Sequence, residues 1–364
     1  MHHICRRGLC AALAAWTLTC EAGAVGTSAS SAVLIEQESG RVLYAQNADE
    51  ERLIASITKI MTAVVALEHG SPDMLYTVTA EDMAEGSSMY LKPGDQLRLE
   101  ELLYGLMLVS GNDAALAVAH CVSGSVEEFV DLMNETAKRL NMDHTHFANP
   151  NGLDAQGHYS SARDMAVLAA YALKNQDFKR IVSTTTVTIG ERYLTNHNKL
   201  LRRCEGCIGV KTGFTKAAGR TLVSAAARDG MTLVCVTLND GDDWNDHMSL
   251  LDYGFACCRM ETAVPAGRTV ASVLVRGGTA PSVPLAAESD LRYPLKEGEQ
   301  LQITARTPVS VDAPVVPGQE VGELCACLDG EEVAKVPLVA AAPSADMTSL
   351  PLFFNRIWGA CSFS

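Results

Sequence analysis

Positive charge is scarce in this sequence: 29 Lys and Arg stand against 43 Asp and Glu, a formal net charge of −14. Binding a phosphate backbone needs clustered cations that release counterions, so nucleic acid is excluded as a partner. Aromatic residues are few, at 5%, while apolar residues make up 48%, an ordinary composition for a folded chain and not that of a disordered one. No membrane span is visible, and the apolar stretch Leu350 to Phe363 is too short to cross a bilayer. Cys204-x-x-Cys207 has no second Cys or His pair at zinc-finger spacing, so no metal and no cofactor is expected.

What is present suits two domains, since 364 residues exceed one average domain and fall short of three. Residues 1–24 read as an export signal: Arg6 and Arg7 are the positive region, Leu9 to Leu18 is mostly apolar, and Ala22-Gly23-Ala24 is a small-residue cleavage site. The mature chain is then expected to start near Val25, outside the cytoplasm. Thr17-Leu18-Thr19 before Cys20 makes a poor lipobox, which argues against lipidation. Removing the signal leaves an odd number of cysteines, which cannot all pair. Cys235 lies in an apolar run and reads as core, and Cys204 with Cys207 as structural.

The predicted elements run from strands through helices and back to strands. Ser31 to Ile35 and Val42 to Ala45 alternate around Glu38-Ser39-Gly40, a hairpin pattern. From Ser56, the residues Ile57, Ile60, Met61, Val64 and Val65 have helical spacing, ending before Gly70. Leu99 to Val109, Ala114 to Cys121, Val126 to Leu140 and Ala162 to Leu173 read as further helices. Strand patterns resume at Thr184 to Ile189, Gly209 to Gly213, Thr221 to Ala227 and Thr232 to Leu238, the last two joined by Arg228-Asp229-Gly230. A helix over Asp243 to Phe255 follows. The fold class is therefore α+β, with one sheet built from both ends of the region 25–260. Short alternating runs over 264–338 suit a small β-sandwich without catalytic groups, and 339–364 reads as a tail.

Ser56-Ile57-Thr58-Lys59 is the only S-x-x-K in the chain, and on a helix a spacing of three puts both side chains on one face. Alone, such a motif is weak evidence, because a helix-capping Ser with a surface Lys gives the same pattern. It is followed, in order, by Ser110-Gly111-Asn112 at a helix junction and by Lys211-Thr212-Gly213 on a strand. These are the three motif types of penicillin-binding proteins and serine β-lactamases. Ala55 to Met61, Phe147 to Leu153 and Asn198-Lys199-Leu200-Leu201 extend the match. Over Ser31 to Cys258 the chain resembles the low-molecular-mass penicillin-binding proteins, the serine D-Ala-D-Ala carboxypeptidases, and the β-rich remainder resembles them more loosely.

The resemblance implies a β-lactamase/transpeptidase-like domain, an antiparallel sheet with a helical cluster, followed by a small all-β domain. It implies removal of the terminal D-alanine from peptidoglycan stem peptides through an acyl-enzyme on Ser56, and inhibition by β-lactam antibiotics. Chemistry requires Lys59 to act as a neutral amine, so burial and the charge of Lys211 must lower its pKa. By the resemblance, Ser110 would be the proton relay, Asn112 would hold Lys59 and the substrate amide, and Lys211 and Thr212 would bind the terminal carboxylate. A small Gly213 would admit the substrate backbone, and the resemblance gives the oxyanion hole to the amides of Ser56 and Phe214. A serine β-lactamase is the nearest alternative, but Gly111 stands where class A enzymes have Asp, and no Glu-x-x-Leu-Asn segment follows. A D,D-endopeptidase acting on cross-links is the second. Leu350 to Phe363, with Phe353, Phe354, Ile357 and Trp358, is a candidate amphipathic anchor on the membrane surface. Asn149 to Gly152 reads as a turn, a segment that the resemblance sets at the edge of the active site, and His158, His197 and His247 read as surface or packing residues. The acidic run Asp240 to Asp246 reads as a helix N-terminus.

Overall fold

A computed structural model describes residues 25–347. The export segment with Cys5, Cys10 and Cys20, and the chain from 348 on with Cys361 and the aromatic stretch Leu350 to Phe363, lie outside the described residues. The first alternating run is β1 (Ser31–Glu36), turned at Gly40 into β2 (Val42–Gln46). The Ser56 segment departs from a continuous helix: Ala55–Thr58 is a 3-10 turn, and α1 (Lys59–His69) starts behind it. A ribbon of β3 (Leu75–Thr77) and β4 (Gln96–Arg98) precedes α2 (Leu99–Leu108) and α3 (Asn112–Ser123). Gly124 ends α3 in the left-handed conformation, φ +83°, with its N–H bonded to the His120 carbonyl. Ser125 and Ser161 cap α4 (Val126–Arg139) and α5 (Ala162–Ala172), their hydroxyls accepting the amides of Glu128 and Asp164. Then come α6 (Gln176–Ser183), capped by Asn175, and a ribbon of β5 (Thr186–Ile189) and β6 (Arg192–Thr195).

β7 (Cys207–Thr215), β8 (Gly219–Arg228) and β9 (Met231–Leu238) complete a five-stranded antiparallel sheet of order β2-β1-β9-β8-β7. Asp229 (φ +48°) and Gly230 (φ +76°) make the tight turn between β8 and β9, and two positive φ values suit the twist of a hairpin. Strand alternation then divides the core. Val33, Ile35, Val234 and Val236 face the helical cluster, while Leu34, Leu233 and Cys235 face Leu250 and Leu251 of α7 (Asp243–Cys257). Each such fully buried aliphatic side chain is worth ~2 kcal/mol of apolar burial. The sheet thus lies between α7 and the other helices, and Cys235 is a core residue as expected.

Without a linker, α7 leads into β10 (Cys258–Val264). After it come β11 (Thr269–Arg276), β12 (Ser282–Ala287), β13 (Leu291–Lys296), β14 (Gln302–Arg306), β15 (Ser310–Asp312), β16 (Glu320–Leu328) and β17 (Glu331–Ala340). Six of them form a sheet of order β14-β16-β17-β12-β11-β15, and β10 pairs with β13. Val273, Leu285, Leu291, Leu324 and Leu338 fill its core. The chain stays joined to this body past Ala340, through bridges from Ser344 to Val315 and from Asp346 to Gly278. All cysteines among the described residues are free thiols.

Candidate active site

Ser56 sits in the 3-10 turn, where side chains three residues apart eclipse one another. Lys59 is the first residue of α1, and its Nζ lies 3.0 Å from Ser56 Oγ. Two further acceptors meet the same nitrogen: Asn112 Oδ1 at 2.8 Å and the Asn151 carbonyl at 2.5 Å. The orientation of the Asn112 amide is fixed, because its Nδ2 donates to the Glu85 carbonyl at 2.6 Å. A neutral amine has two N–H bonds and one lone pair. Asn112 Oδ1 and the Asn151 carbonyl can only accept, so they take both N–H groups and leave the lone pair for the Ser56 hydroxyl.

The electrostatics favour that neutral amine. Lys59 is fully buried, and burial first, then the nearby charge of Lys211, holds its pKa well below the usual lysine range, against a smaller opposing pull from Asp113. Lys211, also buried, is lowered by burial to about 7. Its Nζ donates to the Thr212 carbonyl at 2.7 Å.

Three segments converge on Ser56. Ser110 follows α2 in the left-handed region (φ +61°) and is buried. A Cβ at Gly111 would meet Asp113 Oδ1 at 2.7 Å and the Met89 amide at 3.2 Å, so this position between Ser110 and Asn112 has no room for a side chain. β7 passes so close that a Cβ on Gly213 would lie 2.9 Å from the Ser56 amide nitrogen. Thr221 Oγ1 on β8 ties the turn down by donating to the Ile54 carbonyl at 3.0 Å. Ser56, Ser110, Thr212, Gly213 and Phe214 line one cleft of about 310 Å³. Lys59, bonded to Asn112, lies buried beside Ser56, and Lys211 is buried in the same strand as Thr212.

Several residues outside the three motifs belong to this site. The Asn149 to Leu153 turn edges it: Asn151 binds Lys59, and the Pro150 carbonyl accepts Thr62 Oγ1 at 2.6 Å. Asp113 is buried and accepts from Ser88 Oγ (2.6 Å) and the amides of Met89 and Leu91, both at 3.1 Å, fixing the segment that holds the Ser110 junction. His197, Lys199, Arg220 and Trp244 extend the cleft wall. Arg220 and Lys199 both lie over the Trp244 ring, at 5.5 and 5.9 Å, and Arg220 is bonded to both oxygens of Asp243. The acidic run thus does open α7, and one of its members neutralises a cleft arginine. Proximity in sequence gives no hint of Arg220 or Trp244, which meet only through the fold. His247 is a packing residue, buried between Ser224 and Thr237. His197 instead lines the cleft, and His158 lies buried against the Ala55–Thr58 turn. Among the described residues no group of three or more His, Cys, Asp or Glu could hold a metal ion.

Comparison with known proteins gives the family and the fold. Residues 19–242 match the family model described as D-alanyl-D-alanine carboxypeptidase, and residues 259–343 match that of the penicillin-binding protein 5 C-terminal domain. D-alanyl-D-alanine carboxypeptidase DacF of Bacillus subtilis is 35% identical over 348 residues, 91% of this chain and 89% of the relative. The crystal structure of penicillin binding protein 5 from Haemophilus influenzae superposes with a TM-score of 0.74 at 30% identity, covering 88% of this chain and 98% of that one. PBP3 of Streptococcus pneumoniae, a peptidoglycan synthesis regulatory factor, has the same fold: TM-score 0.78, 24% identity, covering 88% of this chain and 100% of its own.

Proposed function

Since the chain belongs to the D-alanyl-D-alanine carboxypeptidase family of low-molecular-mass penicillin-binding proteins and is a serine-type carboxypeptidase, we propose that Ser56 is its acylated nucleophile and Lys59 the base. The observation that carries this is the buried Lys59 Nζ, 3.0 Å from Ser56 Oγ and within 2.8 and 2.5 Å of two groups that can only accept, so that as a neutral amine it turns its lone pair to Ser56. The amine takes the hydroxyl proton, and Oγ attacks the carbonyl of the penultimate D-alanine of a stem peptide. Charge on that carbonyl oxygen is met by the amides of Ser56 and Phe214, donors worth ~3 kcal/mol each when removed. The substrate backbone lies along β7 as an added strand, and Gly213, having no Cβ, lets that strand pack against the Ser56 turn. Lys211 and Thr212 take its terminal carboxylate, whose negative charge favours the protonated form of Lys211. Ser110 passes a proton to the leaving amine, D-alanine departs, and water hydrolyses the ester on Ser56.

A β-lactam presents a reactive amide and a carboxylate in the same arrangement. Incubation with benzylpenicillin and intact-mass measurement is expected to show one covalent adduct, absent from Ser56→Ala. An adduct that persists in Ser56→Ala would remove the assignment. Such a substrate requires residence outside the cytoplasm, as the export signal at 1–24 implies. The tail Leu350 to Phe363 is proposed to hold the enzyme at the membrane surface through its aromatic residues. Equal partitioning onto anionic vesicles by the mature chain and one ending at Ala345 would exclude that role.

A further inference from the structure

The residue before the nucleophile, Ala55, has φ +49°, a left-handed conformation that costs a non-glycine residue about 1–2 kcal/mol. It is buried, 1% exposed, so nothing in solvent holds it there. Its carbonyl accepts Thr58 Oγ1–H at 2.8 Å. Thr58 Oγ1 lies 2.8 Å from His158 Nε2, and His158 Nδ1 lies 3.0 Å from the Ala148 amide nitrogen. The directions of all three bonds are determined. The Ala148 amide can only donate, so Nδ1 is the unprotonated nitrogen and Nε2 carries the hydrogen. Nε2–H therefore donates to Thr58 Oγ1, which must donate in turn to the Ala55 carbonyl. Burial lowers the His158 pKa to about 4, which keeps the ring in the neutral form this chain needs.

We propose that His158 is a positioning residue for catalysis: through Thr58 it fixes the carbonyl of the left-handed Ala55 and thereby the direction of the next amide, that of Ser56. The Ala55 carbonyl and the Ser56 amide share one peptide plane, so anchoring the oxygen on one side aims the N–H on the other. That N–H is an oxyanion donor in the function proposed above, and the inference rests on that reading. Gly152 (φ +80°) packs its backbone against the same carbonyl and hydroxyl: a Cβ there would lie 2.1 Å from Ala55 O and 2.9 Å from Thr58 Oγ1. The Gly152 backbone packs against the Ala55 carbonyl and His158 holds the Thr58 hydroxyl that bonds it, so both supports come from the segment Ala148 to His158. His158 touches neither substrate nor Ser56.

Thr58→Val keeps the shape of Thr58 and removes both bonds, while Thr58→Ser restores the hydroxyl. In stopped-flow acylation by benzylpenicillin, Thr58→Val is expected to lower the limiting acylation rate about tenfold or more, the scale of a small misplacement at a reacting centre. The apparent dissociation constant of the preceding complex should stay within about twofold, because the carboxylate contacts on β7 are untouched. Deacylation should slow in parallel, since the same donor serves both steps. Thr58→Ser should regain most of the rate, and His158→Phe should resemble Thr58→Val, with the double variant no worse than either. A wild-type limiting rate in Thr58→Val or His158→Phe would overturn the inference, as would additive losses in the double variant. If Thr58→Val does not fold, Thr58→Ser against His158→Gln decides it: Gln offers one N–H in place of Nε2, so a greater loss from Thr58→Ser than from His158→Gln would also overturn it. Failure of the wild-type chain to form any ester on Ser56 would instead remove the nucleophile assignment.

Discussion

The two regions of the molecule treat charge differently. The sheet-and-helix region buries Lys59, Lys211, Asp113, Asp164, His158 and His247, whereas the β-rich region from Cys258 to Met347 has Ser344 as its one buried polar side chain among the described residues. In the β-rich region, charges pair on the surface, as in Arg276 with Asp312 and Lys335 with Glu323. Surface pairs of this kind contribute about 0–1 kcal/mol each and need no particular geometry. Two buried lysines that repel one another are another matter, because isolating charge from water costs several kcal/mol unless the group gives up its proton. A chain selected for stability alone has no use for them. The difference teaches where to look for chemistry: one region accepts the electrostatic cost of burying two lysines, as the proposed base requires, and the other buries almost no polar group.

The comparison breaks if lysines in the two regions respond alike to the same change. Lys59→Arg keeps the charge but supplies a guanidinium that cannot act as a base, so penicillin acylation should fall by a factor of roughly 10²–10⁴. Lys211→Arg should cost about tenfold, since it retains a cation for the carboxylate. Lys335→Arg, 55% exposed and paired with Glu323, should change nothing measurable. The pH profile of kcat/KM sharpens the division. Acid protonates Lys59, so activity is lost as pH falls through its depressed pKa. Alkali removes the proton from Lys211 above about 7, so KM should rise there. Equal losses in Lys59→Arg and Lys211→Arg would refute separate roles for the two.

Glycines provide a middle-sized test. Gly152 and Gly298 both have positive φ, +80° and +84°, but a Cβ at Gly298 meets nothing within 4 Å. Gly298→Ala should therefore cost only about 1 kcal/mol of stability from backbone strain, with acylation unchanged. Gly152→Ala adds the collision with the Ala55 carbonyl and should reduce acylation on the order of 10²-fold. Thermal melts and acylation rates on the same samples separate the two effects. Loss of acylation in Gly298→Ala would mean that strain in the β-rich region reaches the active site.

Much of this arrangement is legible in the sequence, and the gaps have physical causes. The three motifs name Ser56, Lys59, Ser110, Asn112 and the 211–214 strand, which the fold brings to one cleft, because each motif is a short run of fixed residue types. The helices and the central strands are legible because periodicity reports which side is buried. What escapes is what only the fold brings together. Asn151 contributes a carbonyl to Lys59 that any residue type could supply, so no side chain advertises it. Arg220 and Trp244 are ordinary residues until β8 and α7 meet. His158 has no triad partner in sequence, because its partner is the Thr within the S-x-x-K turn itself. The 3-10 turn at Ala55–Thr58 is invisible to periodicity, being a single turn at the head of a longer helix.

A small but measurable effect lies on the seam between the regions. Arg41, in the turn between β1 and β2, donates to both oxygens of Glu299 at 2.6 and 2.8 Å and to the Pro294 carbonyl, while its guanidinium lies 5.3 Å from the Tyr293 ring centroid. Its side chain is 11% exposed and that of Glu299 22%, so water screens the pair less than it screens the pairs on the β-rich surface. The Arg41 bond lowers the Glu299 pKa to about 2. A depressed carboxylate stabilises the fold fully above its unfolded value, near 4.5, and the contribution disappears as pH falls through about 2. Glu299→Gln should therefore cost on the order of 1 kcal/mol at neutral pH, a shift in melting temperature of about 2 °C, narrowing as the solution is acidified below 4.5. Acylation of Ser56 should be unchanged, because no residue of the seam lines the cleft. If Glu299→Gln slowed acylation while the melting temperature held, the β-rich region would be acting on the active site through this contact.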